Sequence, residues 1–245
     1  ISDRWGAFPG DIAPSGRAGI NILCYNWMPV FGWLRTSLTT RVRGDALSSG
    51  YDHSLMQNAP LTATGIVPEK QLWDSLEYFL KIVVPVAEEV DVKLAMHPDD
   101  PPVSPIRGVS RIMSSPQNFQ RLIDLVPSPV NGLTFCQGCF SEMCVDVPAT
   151  IRHFGHQNKL FFAHFRNVKG PVTNFVETFH DEPGNADMFE AMKAYYDIGF
   201  EGPMRPDHVP TMEGDSGGHA GYTLLGRLLA VGYMRGLMEV IEKTR

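Results

Sequence analysis

Short apolar runs alternate along the chain with longer segments in which apolar residues recur at three- and four-residue spacings. The runs predict buried strands, and the spaced segments predict amphipathic helices. The predicted strands span 20–26, 92–97, 132–136, 160–166 and 202–207. The predicted helices span 68–89, 115–126, 147–156, 187–198 and 222–242. This alternation is typical of βαβ units, so we expect an α/β fold built on a parallel sheet.

Polar side chains stand at the carboxyl ends of these predicted strands. They are Asn26, His97, Cys136, His164 and Asp207. A barrel collects functional groups from several strand ends at once, whereas an open sheet does so only at a switch point. No Gly-x-Gly-x-x-Gly motif follows any of the strands. We therefore predict a (β/α)8 TIM barrel, with residues 1–245 forming a single domain.

The predicted strands are too few to close such a barrel. Five strands are visible in the sequence, and a barrel of this class has eight. Residues 1–19 show no sustained pattern, and residues 31–67 show neither a clear helix nor a clear strand. Long connections of this kind are typical of active-site lids, so we interpret 31–67 as a lid or insertion. Either that segment hides strands or, as we expect, N-terminal strands or loop residues are missing from this chain.

Composition narrows the class of protein. With 43% hydrophobic residues among 245, the chain can bury a large core. The net charge is -6 and no Lys/Arg-rich block occurs, which argues against a nucleic acid or an anionic membrane as partner. The sequence has no apolar run of about 18 residues and no basic segment followed by an apolar one at its start. We expect a cytoplasmic protein whose four cysteines are reduced.

Four of the strand-end side chains could form a metal site: His97, Cys136, His164 and Asp207. If they converge, they offer two imidazoles, a thiolate and a carboxylate to one centre. A carboxylate favours Mn²⁺, Mg²⁺ or Fe²⁺, and a thiolate adds affinity for Fe²⁺ or Zn²⁺. Each residue alone has an ordinary explanation as a buried polar or thiol side chain. Their shared position at strand ends favours the metal site.

Other polar patterns have competing interpretations. The Cys136-Gln137-Gly138-Cys139 motif, followed by Cys144, could be a zinc knuckle or a redox motif, but no second Cys-x-x-Cys pair accompanies it. Arg166 and Arg205 could clamp a carboxylate bidentately, or they could form ion pairs with nearby aspartates. The remaining histidines have no strand-end position, and we predict that most lie on the surface: His53, His153, His156, His180 and His219.

Several motifs together resemble one known family, mannonate dehydratase. They are LAMHPDDPP at 94–102, NGLTFCQG at 131–138, HFRNVK at 164–169, MRPDH at 204–208 and CYNWMPV at 24–30. The resemblance extends over nearly all of the chain from Ala18 onward. It implies a xylose-isomerase-like barrel that converts D-mannonate to 2-dehydro-3-deoxy-D-gluconate in hexuronate breakdown, with Mn²⁺ or Fe²⁺ bound and Mg²⁺ as a further candidate. The N-terminal strands of that family support our expectation that this chain is incomplete.

The resemblance also implies roles for individual residues. By motif position, the metal ligands would be His97, Cys136, His164 and Asp207. His208 and Tyr222 would transfer protons in either order, and Arg205 would lie near the substrate. We also expect Asn26 and Arg166 to bind the substrate. Cys139 stands where many relatives have serine, so it could compete with Cys136 as the thiolate ligand.

The expected function is therefore a metal-dependent lyase that dehydrates a sugar acid, acting as a homo-oligomer. Two alternatives remain at this stage. A metal-dependent sugar isomerase or epimerase of the xylose-isomerase type could use the same barrel and the same ligand types. A non-catalytic protein could bind the sugar acid and leave it unchanged. Detection of a 2-keto-3-deoxy product from D-mannonate distinguishes the dehydratase from both.

Overall fold

The computed structural model describes residues 8–215 and 219–245. Its strands, in chain order, are β1 (Ile22–Asn26), β2 (Ser37–Arg41), β3 (Leu47–Asp52), β4 (Lys93–His97), β5 (Asn131–Cys136), β6 (Leu160–Phe165), β7 (Val168–Lys169), β8 (Asn174–Glu177) and β9 (Met204–Pro206). Its helices are α1 (Phe8–Arg17), α2 (Ser54–Gln57), α3 (Glu69–Glu89), α4 (Pro116–Leu125), α5 (Gln137–Glu142), α6 (Val147–Gly155), α7 (Met188–Asp197) and α8 (Leu224–Thr244). These elements form two separate sheets surrounded by helices.

The five predicted strands form one parallel sheet, in the order β1-β4-β5-β6-β9. The register pairs Asn26 with His97, and it pairs Cys136 with His164. His164 in turn pairs with Arg205 on β9. The carboxyl ends of all five strands therefore meet along one edge, as the sequence predicted. Consecutive strands are joined by helices, which is the βαβ arrangement of an α/β fold.

The five predicted helices are present, with ends close to the predicted ones. Three of them begin at a side chain that accepts a hydrogen bond from a free backbone N–H of the first turn. Ser115 accepts from Asn118 N at 3.2 Å, and Asp146 accepts from Ala149 N at 2.9 Å. Asp187 caps α7 in the same way. α3 instead begins directly after Pro68. Proline lacks a backbone N–H, but N–H groups at the start of a helix have no partner within the helix, so no hydrogen bond is lost.

The segment 31–67 contains strands that the sequence did not reveal. β2 and β3 lie in it, and they pair with β8 and β7 in a four-stranded antiparallel sheet of order β2-β3-β8-β7. β2 is largely exposed, and β3 carries buried serines in place of an apolar run, so neither shows the usual strand pattern. The hidden strands do not join the parallel sheet. The assignment of 31–67 as a lid or insertion of a single domain stays a prediction.

The main hydrophobic core lies between the parallel sheet and its helices. Leu94 and Met96 of β4 and Phe135 of β5 are fully buried. Phe135 stacks on Phe140 of α5 with ring centroids 4.2 Å apart. Burial of each such side chain contributes about 1.5–3 kcal/mol to the stability of the fold. This core holds the strands, and so their carboxyl ends, in position. Among the described residues, the helices include none whose length and apolar character would suffice to cross a membrane.

One histidine departs from the predicted surface placement. His180, in the loop between β8 and α7, is 2% exposed, and its Nε2–H donates to the carbonyl oxygen of Phe165 at 2.6 Å. Burial lowers the pKa of His180 to about 4 from an ordinary value of 6.5. As the pH falls from about 6.5 to about 4, His180 becomes protonated in the unfolded chain but stays neutral in the folded chain. The free energy of unfolding therefore decreases.

We therefore expect His180→Gln to weaken the pH dependence of stability. Glutamine can still donate to the Phe165 carbonyl, but it does not titrate. Between about pH 7 and about pH 5, the wild type should lose about 2 kcal/mol more unfolding free energy than the variant does. Urea unfolding of both proteins at the two pH values measures this difference, because other titrating groups are common to both. Equal losses would show that His180 does not resist protonation in the folded state.

Candidate metal centre and active site

Four strand-end side chains converge at the carboxyl edge of the parallel sheet. His97 ends β4, Cys136 ends β5, His164 lies on β6, and Asp207 directly follows β9. One potential ligand atom from each lies within 4.8 Å of the others. His97 Nε2 is 3.3 Å from His164 Nδ1, which is 3.6 Å from Asp207 Oδ2. The structure thus brings together the four residues that the sequence proposed as metal ligands.

The orientation of the side chains suits metal binding. His97 Nδ1 donates to the carbonyl oxygen of Pro98 at 2.7 Å, so in the neutral ring Nε2 carries the lone pair that faces the centre. A hydrogen bond of this kind is the usual way in which a metal-binding imidazole is held in one tautomer. The Cys136 sulfur, at the end of the neighbouring strand β5, lies 3.9 Å from Asp207 Oδ2.

The electrostatic environment favours the ligand forms of the thiol and the carboxyl. Burial raises the pKa of Cys136, but a hydrogen bond with Cys139 and the charge of Arg166 outweigh burial and hold that pKa well below its usual value. Burial also opposes ionisation of Asp207, yet His208 and His164 hold the pKa of its carboxyl well below the usual range. A thiolate, a carboxylate and two imidazoles fit a divalent first-row metal ion.

A histidine and a tyrosine lie beside this centre. His208 Nε2 is 2.9 Å from the Tyr222 hydroxyl and 3.8 Å from Asp207 Oδ2. His208 is buried, whereas Tyr222 is 40% exposed, so the pair reaches from the centre to solvent. Trp33, which the sequence analysis did not select, packs edge-on against both rings at centroid distances of 5.2 Å and 6.5 Å. Burial raises the pKa of Tyr222, which keeps its hydroxyl protonated near neutral pH.

Two residues predicted to bind the substrate lie at the open side of the centre. Arg205 donates to Asp207 Oδ1 at 2.8 Å, and its side chain is 45% exposed. Asn26 is exposed at the end of β1, directly beside His97 in the sheet register. Its side-chain oxygen accepts a hydrogen bond from Met28 N at 3.3 Å. Both positions allow contact with a bound molecule, and their roles stay predictions.

Arg166 lies behind the centre. It is fully buried, and its guanidinium donates to Asp207 Oδ2 at 3.2 Å and to Asp100 Oδ2 at 2.7 Å. It also contacts Glu142 Oε1 at 3.1 Å and Glu177 Oε1 at 2.8 Å. Of the two interpretations left open by the sequence, the structure places Arg166 in ion pairs with protein carboxylates. Its binding to substrate stays a prediction.

The sequence analysis missed three charged residues near Arg166: Arg35, Glu142 and Glu177. Arg35 forms ion pairs with Asp100, with Glu177 Oε1 at 2.7 Å and with Glu142 Oε1 at 3.4 Å. We call this set the buried ion cluster: Arg35, Asp100, Glu142, Arg166 and Glu177. Glu177 ends the short run Phe175-Val176-Glu177, which resembles the other strand ends and is the one sequence signal that could have identified it. Arg35 and Glu142 lie in segments with no comparable pattern.

A second group of potential ligands lies inside this cluster. Asp100, Cys139 and Glu142 also bring ligand atoms within 4.8 Å of one another. Two guanidinium groups already face these residues, since Arg166 donates to the Cys139 sulfur at 3.3 Å and Arg35 pairs with Asp100. A cation there would meet positive charge, which disfavours a second metal site. All four cysteines of the chain are free thiols.

Comparison with known proteins agrees with this geometry. The family model of D-mannonate dehydratase (UxuA) matches residues 10–66 and 60–245. A mannonate dehydratase of Thermotoga petrophila is 38% identical over 263 residues, which cover 94% of this chain and 72% of the relative.

Solved structures show the same relationship. The mannonate dehydratase from Streptococcus suis serotype 2 superposes with a TM-score of 0.93 at 34% identity, covering 100% of this chain and 72% of the other. A xylose isomerase-like TIM barrel protein from Mycobacterium smegmatis superposes with a TM-score of 0.54 over 94% of this chain and 63% of its own; at 14% identity it shows the fold alone. The predicted TIM-barrel fold and the predicted resemblance are both confirmed, and the chain belongs to the mannonate dehydratase family.

Proposed function

We propose that this protein is a metal-dependent lyase that dehydrates D-mannonate to 2-dehydro-3-deoxy-D-gluconate in hexuronate catabolism. Membership of the mannonate dehydratase family supports the reaction. The single structural observation that carries it is the convergence of His97, Cys136, His164 and Asp207 beside His208 and Tyr222. The alternative of an isomerase or epimerase is not favoured, because likeness to such proteins lies below 25% identity and concerns the fold alone.

The four converging side chains are proposed to hold Mn²⁺ or Fe²⁺. Mg²⁺ is a weaker candidate, because a thiolate is too soft a ligand for it. When bound, the ion would act as a Lewis acid toward the substrate carboxylate and its neighbouring hydroxyl, where negative charge develops. Arg166 steadies the Asp207 ligand from behind through its Nε–Oδ2 contact of 3.2 Å. Arg205, on the open side, is placed to attract the carboxylate of the sugar acid.

His208 and Tyr222 are proposed to carry the protons of the reaction. One of the two removes the proton from C2 of the substrate, which lies next to the carboxylate. The other gives a proton to the C3 hydroxyl, which leaves as water. The resulting enol then rearranges to the 2-keto product. The 2.9 Å contact between the two groups supports this division of roles, because it places them close enough to act on neighbouring carbons of one substrate.

The direct test is an assay of the reaction itself. Purified protein loaded with Mn²⁺ under anaerobic conditions should convert D-mannonate to a 2-keto-3-deoxy acid, detected as its semicarbazone or by mass spectrometry as a loss of water. An isomer of unchanged mass would favour the isomerase or epimerase. Binding without any product would favour the non-catalytic alternative.

Replacement of His208 should separate catalysis from metal binding. In His208→Asn the four proposed ligands remain, so metal content should stay at the wild-type level. Turnover should fall by about 10²–10⁴-fold, the usual effect of removing a general acid or base. Metal analysis and kcat with D-mannonate measure the two effects. His156→Asn, at an exposed histidine, is the matched control and should behave as the wild type; near-normal turnover in His208→Asn would remove His208 from the mechanism.

Replacement of Cys136 should weaken metal retention. Serine is a poorer ligand than thiolate, so Cys136→Ser should raise the dissociation constant for the metal. Loss of a group that only hydrogen-bonds to a ligand already weakens metal binding by about 10–100-fold, so we expect an increase of more than about tenfold. Dialysis against a chelator followed by metal analysis measures this. Cys144→Ser, at an exposed thiol, should retain metal as the wild type does. Unchanged retention in Cys136→Ser combined with loss in Cys139→Ser would assign the thiolate ligand to Cys139.

A further inference from the structure

His208 makes a second hydrogen bond, on the side of its ring that faces away from Tyr222. Its Nδ1 lies 2.9 Å from Oε1 of Glu177, while its Nε2 lies 2.9 Å from the Tyr222 hydroxyl. Glu177 is fully buried at the end of β8, in the antiparallel sheet, and it reaches His208 across 31 positions of sequence. The imidazole is therefore held between a carboxylate and a phenol.

We infer that Glu177 is a positioning residue that fixes the tautomer of His208, so that His208 exchanges its proton with the substrate through Nε2. A carboxylate oxygen has only lone pairs to offer, so the facing Nδ1 must carry a hydrogen. In the neutral ring, Nε2 is then the atom with a free lone pair. This inference rests on the proton-transfer role of His208 in the proposed function.

The buried ion cluster keeps Glu177 in the form that this role requires. Arg35 donates to Oε1 at 2.7 Å, and Arg166 donates to Oε1 at 2.8 Å and to Oε2 at 2.9 Å. Burial alone would raise the pKa of Glu177, but the charge of Arg166 and the hydrogen bond with His208 help to lower it to about 2. Glu177 thus remains an acceptor near neutral pH. The same two arginines fix the position of its carboxylate.

The geometry also excludes the opposite assignment. Glu177 is fully buried and occupies the Nδ1 side of the ring, so a substrate atom could reach that nitrogen only by displacing Glu177. Nε2 points toward Tyr222, the partly exposed member of the pair, and toward the metal centre. Carboxylates that hold an imidazole in one tautomer have this effect in other enzymes, where their loss reduces turnover by about 10⁴-fold although the catalytic atoms stay in place.

Glu142 provides a matched comparison. It belongs to the same buried ion cluster, and it contacts Arg35 at 3.4 Å and Arg166 at 3.1 Å. The contacts described for it do not include His208. Replacing Glu142 therefore removes a carboxyl from the cluster and leaves the hydrogen bonds of the imidazole unchanged.

The first experiment reads the tautomer directly. The protein is labelled with ¹⁵N-histidine and loaded with diamagnetic Zn²⁺, which binds thiolate, imidazole and carboxylate ligands. The ring resonances of His208 are assigned by their absence in His208→Asn. In neutral His208, the ¹⁵N shifts should show hydrogen on Nδ1 and a bare Nε2. The reverse pattern in the wild-type protein would overturn the proposal. This readout is independent of turnover, so it remains decisive even if D-mannonate proves not to be the substrate.

The second experiment compares four proteins with D-mannonate as substrate: the wild type, Glu177→Met, Glu177→Gln and Glu142→Met. Methionine matches glutamate in length but accepts no hydrogen bond, so Glu177→Met should lower kcat by about 10²–10⁴-fold with KM changed less than about threefold. Glutamine retains a carbonyl oxygen for Nδ1–H and should recover at least about tenfold of that loss. Glu142→Met should keep kcat within about fivefold of the wild type.

The outcomes distinguish a specific effect of Glu177 on His208 from a general effect of disturbing the buried ion cluster. Equal loss of kcat in Glu142→Met and Glu177→Met would show that the integrity of the whole cluster matters rather than the contact with His208, and it would overturn the proposal. If Glu177→Met fails to fold or to retain metal, Glu177→Gln decides, since its His208 tautomer must match the wild type. An absence of keto product from the wild type would refute the proposed function alone. The ¹⁵N measurement of the His208 tautomer would still test whether Glu177 fixes it.

Discussion

The burial of the Arg166 guanidinium is the constraint on which the rest of the site depends. The side chain is completely enclosed, and an unpaired charge at such a position would cost several kcal/mol. Carboxylates from four different parts of the chain surround it. Gly138 passes so close that a Cβ atom there would collide with the guanidinium. Arg166 can therefore exist only where β4, α5, β6, β8 and β9 have all reached their final positions.

Charge balance explains why a second arginine accompanies the first. Burial and the nearby Asp100 raise the pKa of Glu142 well above its usual value, which favours its neutral form. Two guanidinium groups then face the carboxylates of Asp100 and Glu177. Arg35 comes from the segment that links β1 to the antiparallel sheet, where its guanidinium lies 5.0 Å from the Trp33 ring and 4.9 Å from the Phe175 ring. The antiparallel sheet thus contributes an anion to the buried ion cluster, and the segment that leads into this sheet contributes a cation.

Two adjacent residues divide the work of the site. Asp207 faces His164, Cys136 and Arg166, and so belongs to the proposed metal centre. His208 faces Glu177 and Tyr222, and so belongs to the proposed proton-transfer pair. Because they are neighbours just beyond the end of β9, the proposed metal ligand and the proposed proton carrier lie close together. Members of the buried ion cluster contact both residues: Arg166 hydrogen-bonds to Asp207, and Glu177 hydrogen-bonds to His208.

The sequence by itself determined the parallel sheet, its helices and the residues at its strand ends. Those features follow from local periodicity and from strand length, which are properties of contiguous residues such as Lys93–His97. Only the tertiary structure decided the places of Arg35, Glu142, Glu177 and His180. In a sequence, a charged or titratable residue that will be buried is indistinguishable from one at the surface, because its partners lie tens of positions away. The strands β2 and β3 were hidden for a related reason, since they lack a continuous apolar run and are defined by their pairing with neighbouring strands.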